Sequence, residues 1–321
     1  MKNLKKIIIN FDKFFLKKTA KLNKNKNGII FLLFHSVFKD FKDINYNYIH
    51  SRYGFTIDEY RYIFEEFLNA GYIFISHEDL KNSEKLNNQK KYIYLHFDDG
   101  YFNNYYILPL LKEYNIPSQF FVVTENIINN EKFWWDTIFY ESKKNNNINY
   151  YNEINYLVNF ELNEIRKYIK NKYGLNALIP KSDIDRPFTE MELKDFSSNN
   201  YVTIGNHTFD HTNLNILNNK KIEENIINAE KKIEILTGYS HKIFSFPNSN
   251  RNKIHTEILK NLNFNYALSE KFQNYKLNQI NSNKLLELGR YCFVREENIE
   301  WQIRICNSRF SLYFFLSKLF K

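Results

Sequence analysis

The sequence predicts an α/β fold built on a parallel sheet, and three observations carry that prediction. Short apolar runs alternate with amphipathic helical patterns over most of the 321 residues, the signature of strands joined by helical crossovers. Two of these runs end in dense polar clusters. Tyr92-Ile93-Tyr94-Leu95 opens onto His96-Phe97-Asp98-Asp99-Gly100-Tyr101, and Tyr201 to Ile204 opens onto Gly205-Asn206-His207-Thr208-Phe209-Asp210-His211. Parallel α/β folds place their chemistry at the C-terminal ends of strands. Finally, five prolines, eight glycines and no low-complexity linker argue against loosely joined domains.

Composition narrows the class. Hydrophobic residues at 43% can fill a core, and 25% charged residues exclude a membrane bundle and a disordered chain. The net charge of +9 suits an anionic partner: a membrane surface, a nucleotide-linked substrate or a nucleic acid. The basic residues are scattered and no recognition motif accompanies them, so nucleic acid is not the expected partner. Only Cys292 and Cys306 are present. That opposes a disulfide scaffold or a cysteine zinc site and fits a reducing compartment.

Taken in order, residues 1–27 are basic, with Leu4, Ile7, Ile8, Phe11, Phe14 and Phe15 on one helical face. Asn10, Asp12 and Lys13 interrupt the apolar run and no small-residue cleavage site follows, unlike a signal peptide. Such a helix either lies on an anionic membrane or packs on the rest of the chain through the same face. Ile29 to Phe34 form a buried strand ending at His35. Thr56-Ile57-Asp58-Glu59 is a capping box. It starts a helix with the stripe Tyr60, Ile63, Phe64, Phe67 and Leu68, which Gly71 stops. Strands follow at Tyr72 to Ser76 and at 92–97. Ile107, Leu110, Leu111 and Tyr114 mark the next helix, and Gln119 to Val123 the next strand.

Residues from about 137 to 188 are mostly helical and rich in asparagine. They form an insertion that covers one side of the sheet, preceded by the aromatic run Phe133-Trp134-Trp135-Asp136. A second capping box, Thr189 to Glu192, leads to the strand before the two histidines. The helix 219–237 buries Ile222, Ile226, Ala229, Ile233 and Leu236 and ends at Gly238. Ile243 to Pro247, Tyr266 to Leu268 and Leu286 to Val294 are the last strands. The third of these carries Arg290, and the tail 297–321 is helical, aromatic and basic.

The polar clusters define a chemistry. Two adjacent carboxylates are costly unless a cation or a shared proton relieves them, and Gly100 permits a sharp turn directly after them. Alone, the pair reads as a capped strand-to-helix turn. With His207 and His211 it becomes a metal site of two imidazoles and one carboxylate, Asp99, with positions open for water and substrate. Asp98 is then placed to take the proton of a metal-activated water. That is machinery for hydrolysing an amide or ester.

These residues resemble the polysaccharide deacetylase (NodB-homology) family, of the carbohydrate esterase type. His96 to Gly100 is similar to its Thr/Ser-Phe-Asp-Asp-Gly motif, and His207 to His211 to its His-Ser/Thr-x-x-His motif. Phe244-Ser245-Phe246-Pro247-Asn248-Ser249 resembles a worn Phe-Ala-Tyr-Pro-Tyr-Gly motif of one branch. Phe34-His35-Ser36-Val37 and Phe133 to Asp136 are similar to that branch as well. The resemblance covers roughly residues 28–295. It implies a distorted (β/α) barrel with fewer regular strands than eight, in a single domain spanning 28–321 behind the basic segment 1–27. It implies a divalent metal, zinc first, held by Asp99, His207 and His211. Asp98 would be the base, and the backbone at Pro247 and Asn248 would help hold the oxyanion.

The departures concern two groups. The third motif lacks the arginine that orients the catalytic aspartate in many members. Arg290, in Leu288-Gly289-Arg290-Tyr291, is similar to an arginine of the same branch and could orient Asp98 from another strand; otherwise it is a surface ion pair. No histidine follows His255, so the late general acid of many members is missing, and Asp98 itself or His35 would take its place. The expected activity is removal of an N-acetyl group from an amino sugar in a glycan or glycan precursor. The expected location is the cytoplasm, with peripheral contact to the anionic inner face of the membrane. Two other functions stay open: a catalytically impaired glycan-binding protein, and a deformylase on a related sugar C–N bond.

Overall fold

A computed structural model describes residues 27–269, 272–280 and 285–307. The basic segment of residues 1–26 and the tail from 308 lie outside the described residues, and with them every side chain named for membrane contact.

Nine strand segments form one all-parallel sheet. In chain order its members are β1 (Gly28–Phe34), β4 (Tyr72–Phe74), β5 (Lys91–Phe97), β6 (Ser118–Val122), β7 (Val202–Asn206), β8 (Ile243–Ser245), β9 (Tyr266–Ser269), β10 (Leu286–Gly289) and β11 (Tyr291–Cys292). Two short strands outside it, β2 (Ser36–Phe38) and β3 (Gly54–Thr56), pair with each other. The order runs β10-β9-β8-β7-β6-β5-β1-β11. β10 and β11 are two halves of one run, interrupted at Arg290. The first half pairs with β9 and the second with β1, so the sheet closes on itself. On one flank of β5, β4 covers Lys91 to Ile93 and β6 covers Leu95 to Phe97. The expected distorted (β/α) barrel is the fold observed, built from nine strand segments rather than from fewer than eight regular strands. Its last strand is two short segments rather than the continuous Leu286 to Val294.

Side-chain alternation builds two layers. Ile29 and Phe31 of β1 and Tyr92 and Tyr94 of β5 pack with Phe121 and Leu268 inside the ring. Ile30, Leu32 and Phe34, with Ile93, Leu95 and Phe97, pack outward on the helices. The helix Ile57–Asn69 supplies Tyr60, Ile63, Phe64 and Phe67 to that outer layer. Its start is fixed by the reciprocal bonds of the capping box, Glu59 N to Thr56 Oγ1 at 3.3 Å and Thr56 N to Glu59 Oε2 at 2.8 Å. Thr189 and Glu192 do the same for the helix Glu190–Ser197.

The inserted stretch is helical over Trp134–Lys144, Tyr150–Leu157 and Leu162–Tyr173. It has its own small core of Trp134, Ile138, Leu157, Leu162, Ile165, Ile169 and Leu178. No described helix is long and apolar enough to cross a membrane.

Candidate active site

The carboxylate pair sits where β5 leaves the barrel. Asp98 N donates to Phe34 O at 3.0 Å, so the pair is anchored to β1. Asp99 and Gly100 both take left-handed conformations, φ 78° and 82°, which turns the chain away directly after the carboxylates. A Cβ on Gly100 would also meet Val122 at 3.0 Å, so glycine is needed here for conformation and for space.

β7 delivers the histidines on a tight loop, with Thr208 and His211 in the left-handed region at φ 72° and 58°. Side-chain hydrogen bonds hold this strained loop. Asn206 accepts from Thr208 N at 2.8 Å, and Thr208 Oγ1 accepts from His211 N at 3.0 Å. Asp210 accepts from Thr212 N and from Asn225 Nδ2. Asn206 in turn donates to Ile226 O and to Glu230 on the helix Asn219–Thr237.

Three ligand atoms converge. Asp99 Oδ1 lies 3.4 Å from His207 Nε2 and 3.5 Å from His211 Nε2. Ligands about 2.0–2.1 Å from a tetrahedral ion stand about 3.4 Å apart, so this set fits a divalent metal. The donor chemistry fits too. His207 Nδ1 donates to Ser245 O at 2.9 Å, which leaves its Nε2 lone pair pointing at Asp99, as metal-bound histidines require. His211 is held by packing, with the Trp135 ring 4.8 Å away. Trp135 Nε1 donates to Tyr101 Oη, which donates to Asp136 Oδ2.

Asp98 lies one step from this triangle, 3.9 Å from His207 Nε2. Arg290 is 2% exposed, so the surface ion pair is not what forms. Its guanidinium grips Asp98 with both prongs, each at 2.8 Å. Ser245 Oγ lies 2.9 Å from Arg290 Nη2 and donates to Asp98 Oδ2 at 2.9 Å. Burial alone would raise the Asp98 carboxyl; Arg290, then His207, outweigh it and hold the group far below the usual carboxylate range. Asp99 is likewise lowered, against burial, by its bond to His207. Burial disfavours charge on His207, yet Asp98 and Asp99 still raise its pKa. His211 falls to about 4, from burial and the neighbouring His207.

His35 follows β1 at the same mouth. Its ring packs on Tyr53 at 4.9 Å, and its Nδ1 is buried without a partner. Its positive form lies close enough to favour ionisation of both aspartates. Asn248, left-handed at φ 53°, lines a cleft beside His211 together with Phe160, Leu162 and Ile165 of the insertion. Pro247 is buried beneath the same turn.

In the sequence Ser245 reads as an alanine-like member of an apolar run, and Trp135 only as part of an aromatic motif. Their roles depend on where β8 and the insertion end in space, which no local pattern records.

A family model described as polysaccharide deacetylase matches residues 85–267, more than half of the chain. No curated protein matches the chain in sequence. Among solved structures, it is similar to IcaB from Ammonifex degensii, with TM-score 0.60 and 15% identity over 88% of this chain and 97% of that one. It is similar to the Streptococcus pyogenes deacetylase PplD, with TM-score 0.58 and 15% identity over 89% and 100%. A de-N-acetylase from Aggregatibacter actinomycetemcomitans gives TM-score 0.55 and 18% identity over 85% and 97%. At such identities the likeness is one of fold.

Proposed function

This chain belongs to the polysaccharide deacetylase family, and we propose that it hydrolyses the N-acetyl group of an amino sugar in a glycan or glycan precursor. The observation that carries the proposal is the convergence of Asp98, Asp99, His207 and His211 on one point at the barrel mouth. A divalent metal, zinc first, held by Asp99, His207 and His211 would supply a Lewis acid for the acetyl carbonyl and a water of lowered pKa.

The chain's own groups do the rest. Asp98 takes one proton of the attacking water as its oxygen bonds to the acetyl carbon. The carbon–nitrogen bond then breaks, and Asp98 returns that proton to the departing nitrogen, giving the free amine and acetate. A carboxylate with so low a pKa is a weak base in bulk water, so its contribution rests on position. Arg290 and Ser245 fix both of its oxygens. His35 is the second candidate for the returned proton. The backbone at Pro247 and Asn248 would help hold the oxyanion as the carbonyl oxygen gains charge.

Acetate release from N-acetylated amino-sugar oligomers, measured with metal content, tests this reading. Asp98→Asn should keep its metal and lose about 10²–10⁴ in rate; His207→Ala should lose both. Parent rates in Asp98→Asn, or an inactive parent carrying its metal, would overturn it. The basic segment 1–21 and the tail 309–321 are proposed to bring the enzyme to an anionic membrane face on the cytoplasmic side.

A further inference from the structure

The opposite mouth of the barrel holds a second cluster of ligand-type side chains. His77 follows β4 on the short segment Ile75 to Leu80, which plugs the barrel floor through Ile75 and Leu80. His241 lies two residues before β8. Because all strands are parallel, a residue that precedes β8 lies at the end away from Asp98 and His207. His77, Glu78 and His241 each bring a ligand atom within 4.8 Å of the others.

His77 Nδ1 stands 3.4 Å from Tyr94 Oη, which itself bonds Gln119 Oε1 at 3.0 Å. Its Nε2 is buried with no partner, in a side chain only 3% exposed. A buried polar atom left unpaired is costly. A histidine with one nitrogen bonded to an oxygen and the other free is the arrangement metal ligands adopt. Burial, reinforced by His241 and Lys81, keeps the imidazole neutral.

The second imidazole is half-buried and stands edge-on, ring centroids 4.9 Å apart. Tyr239 packs behind it at 4.5 Å. Glu78 is exposed and pairs with Lys81 at 3.2 Å. Such a surface pair contributes little, so the carboxylate is free to turn inward.

We propose that His77, His241 and Glu78 form a second, structural site for a borderline divalent metal such as zinc at the floor of the barrel. Two imidazoles and one carboxylate select zinc, cobalt or nickel over magnesium or calcium. The ion would tie the segment after β4 to the segment before β8, two strands that do not pair with each other. It would close a loop of more than 160 residues, a constraint the unfolded chain lacks.

The test is zinc titration of chelator-stripped protein in the His207→Ala background, where the first site is disabled. His207→Ala should bind one equivalent and gain in Tm on adding zinc. The double variant His207→Ala/His241→Ala should bind none and show no gain. Glu78→Ala in the same background, at an exposed position that does not threaten folding, should weaken binding by at least tenfold. A His207→Ala protein that binds no zinc, or a double variant that binds as much as the single, would overturn the proposal. Failure of the upper site is distinguishable, since it would leave parent and His207→Ala with equal stoichiometry whatever His241 does.

Discussion

Asp98 shows how opposed forces set one ionisation. Burial pushes its carboxyl up, and Arg290 pulls it down by more. Arg290→Met removes the largest pull and leaves burial opposed by His207 and His35 alone among the charged neighbours, so the carboxyl should titrate at higher pH. The acid limb of the pH–rate profile should move upward in step. Stability should fall by about 3–5 kcal/mol, because one partner of a buried pair is left uncompensated. An unmoved acid limb in a folded variant would remove Asp98 from the proton-transfer role. His96, at the start of the aspartate motif, makes a separate statement. It is fully buried between Phe31 and Phe121, bonded to Leu32 O, and its pKa falls to about 3 through burial and then Arg290. A folded pKa below the unfolded value of about 6.5 means that the unfolded chain binds the extra proton between those two values. Stability from this group is therefore present above about pH 6.5 and is lost as pH falls toward 3. In His96→Thr, the residue type of the family motif, the slope of stability against pH should flatten by up to about 1.4 kcal/mol per unit in that window. Denaturant melts at several pH values measure it; an unchanged slope would mean that the imidazole is protonated in the folded state. Arg290, Asp98 and the two histidines could be named from the sequence because each stands beside a strand end or in a motif. Ser245 could not, although it lies in the third motif, since a serine there carries no sign that it will face Asp98 and Arg290.

At the scale of elements, the insertion shapes the upper site. Its first helix, Trp134–Lys144, supplies Trp135, which packs on His211 and donates to Tyr101. His207 is held by a hydrogen bond to β8, whereas His211 depends on that ring. Trp135→Ala should therefore weaken metal binding by about 10–100-fold, the usual effect of losing an outer support, while Trp135→Phe should retain most of it. Competition against a chromophoric zinc chelator measures the difference; equal affinities would show that the loop alone orients His211. The helices themselves were legible because their stripes and caps are local: Tyr60, Ile63, Phe64 and Phe67 are buried as the spacing requires, and Thr56 and Glu59 form their reciprocal bonds. The break of the last strand at Arg290 was not legible. The run Leu286 to Val294 is continuous in pattern, and the interruption arises because one run must pair with two different neighbours to close the ring.

For the whole molecule, the distribution of charge is the main asymmetry. Nine of the 45 basic residues and one of the 36 acidic ones fall in residues 1–26. The remaining 295 residues therefore carry 36 basic against 35 acidic groups, a net +1. Almost the entire excess of +9 belongs to the leading segment, which also carries Leu4, Ile7, Phe11 and Phe14. A stretch of near-zero net charge has little general attraction for an anionic surface, whereas clustered lysines contribute about 1 kcal/mol each close to anionic lipid. The full chain should therefore float with vesicles containing a third phosphatidylserine at low salt. Binding should weaken steeply near 0.5 M salt, where the screening length drops to about 4 Å, and deletion of 1–26 should abolish it without changing acetate release from a soluble oligomer. Flotation that survives the deletion would move the membrane contact to the barrel or to the tail 309–321. Loss of flotation together with loss of activity would mean that the segment completes the fold rather than addressing the enzyme to a surface.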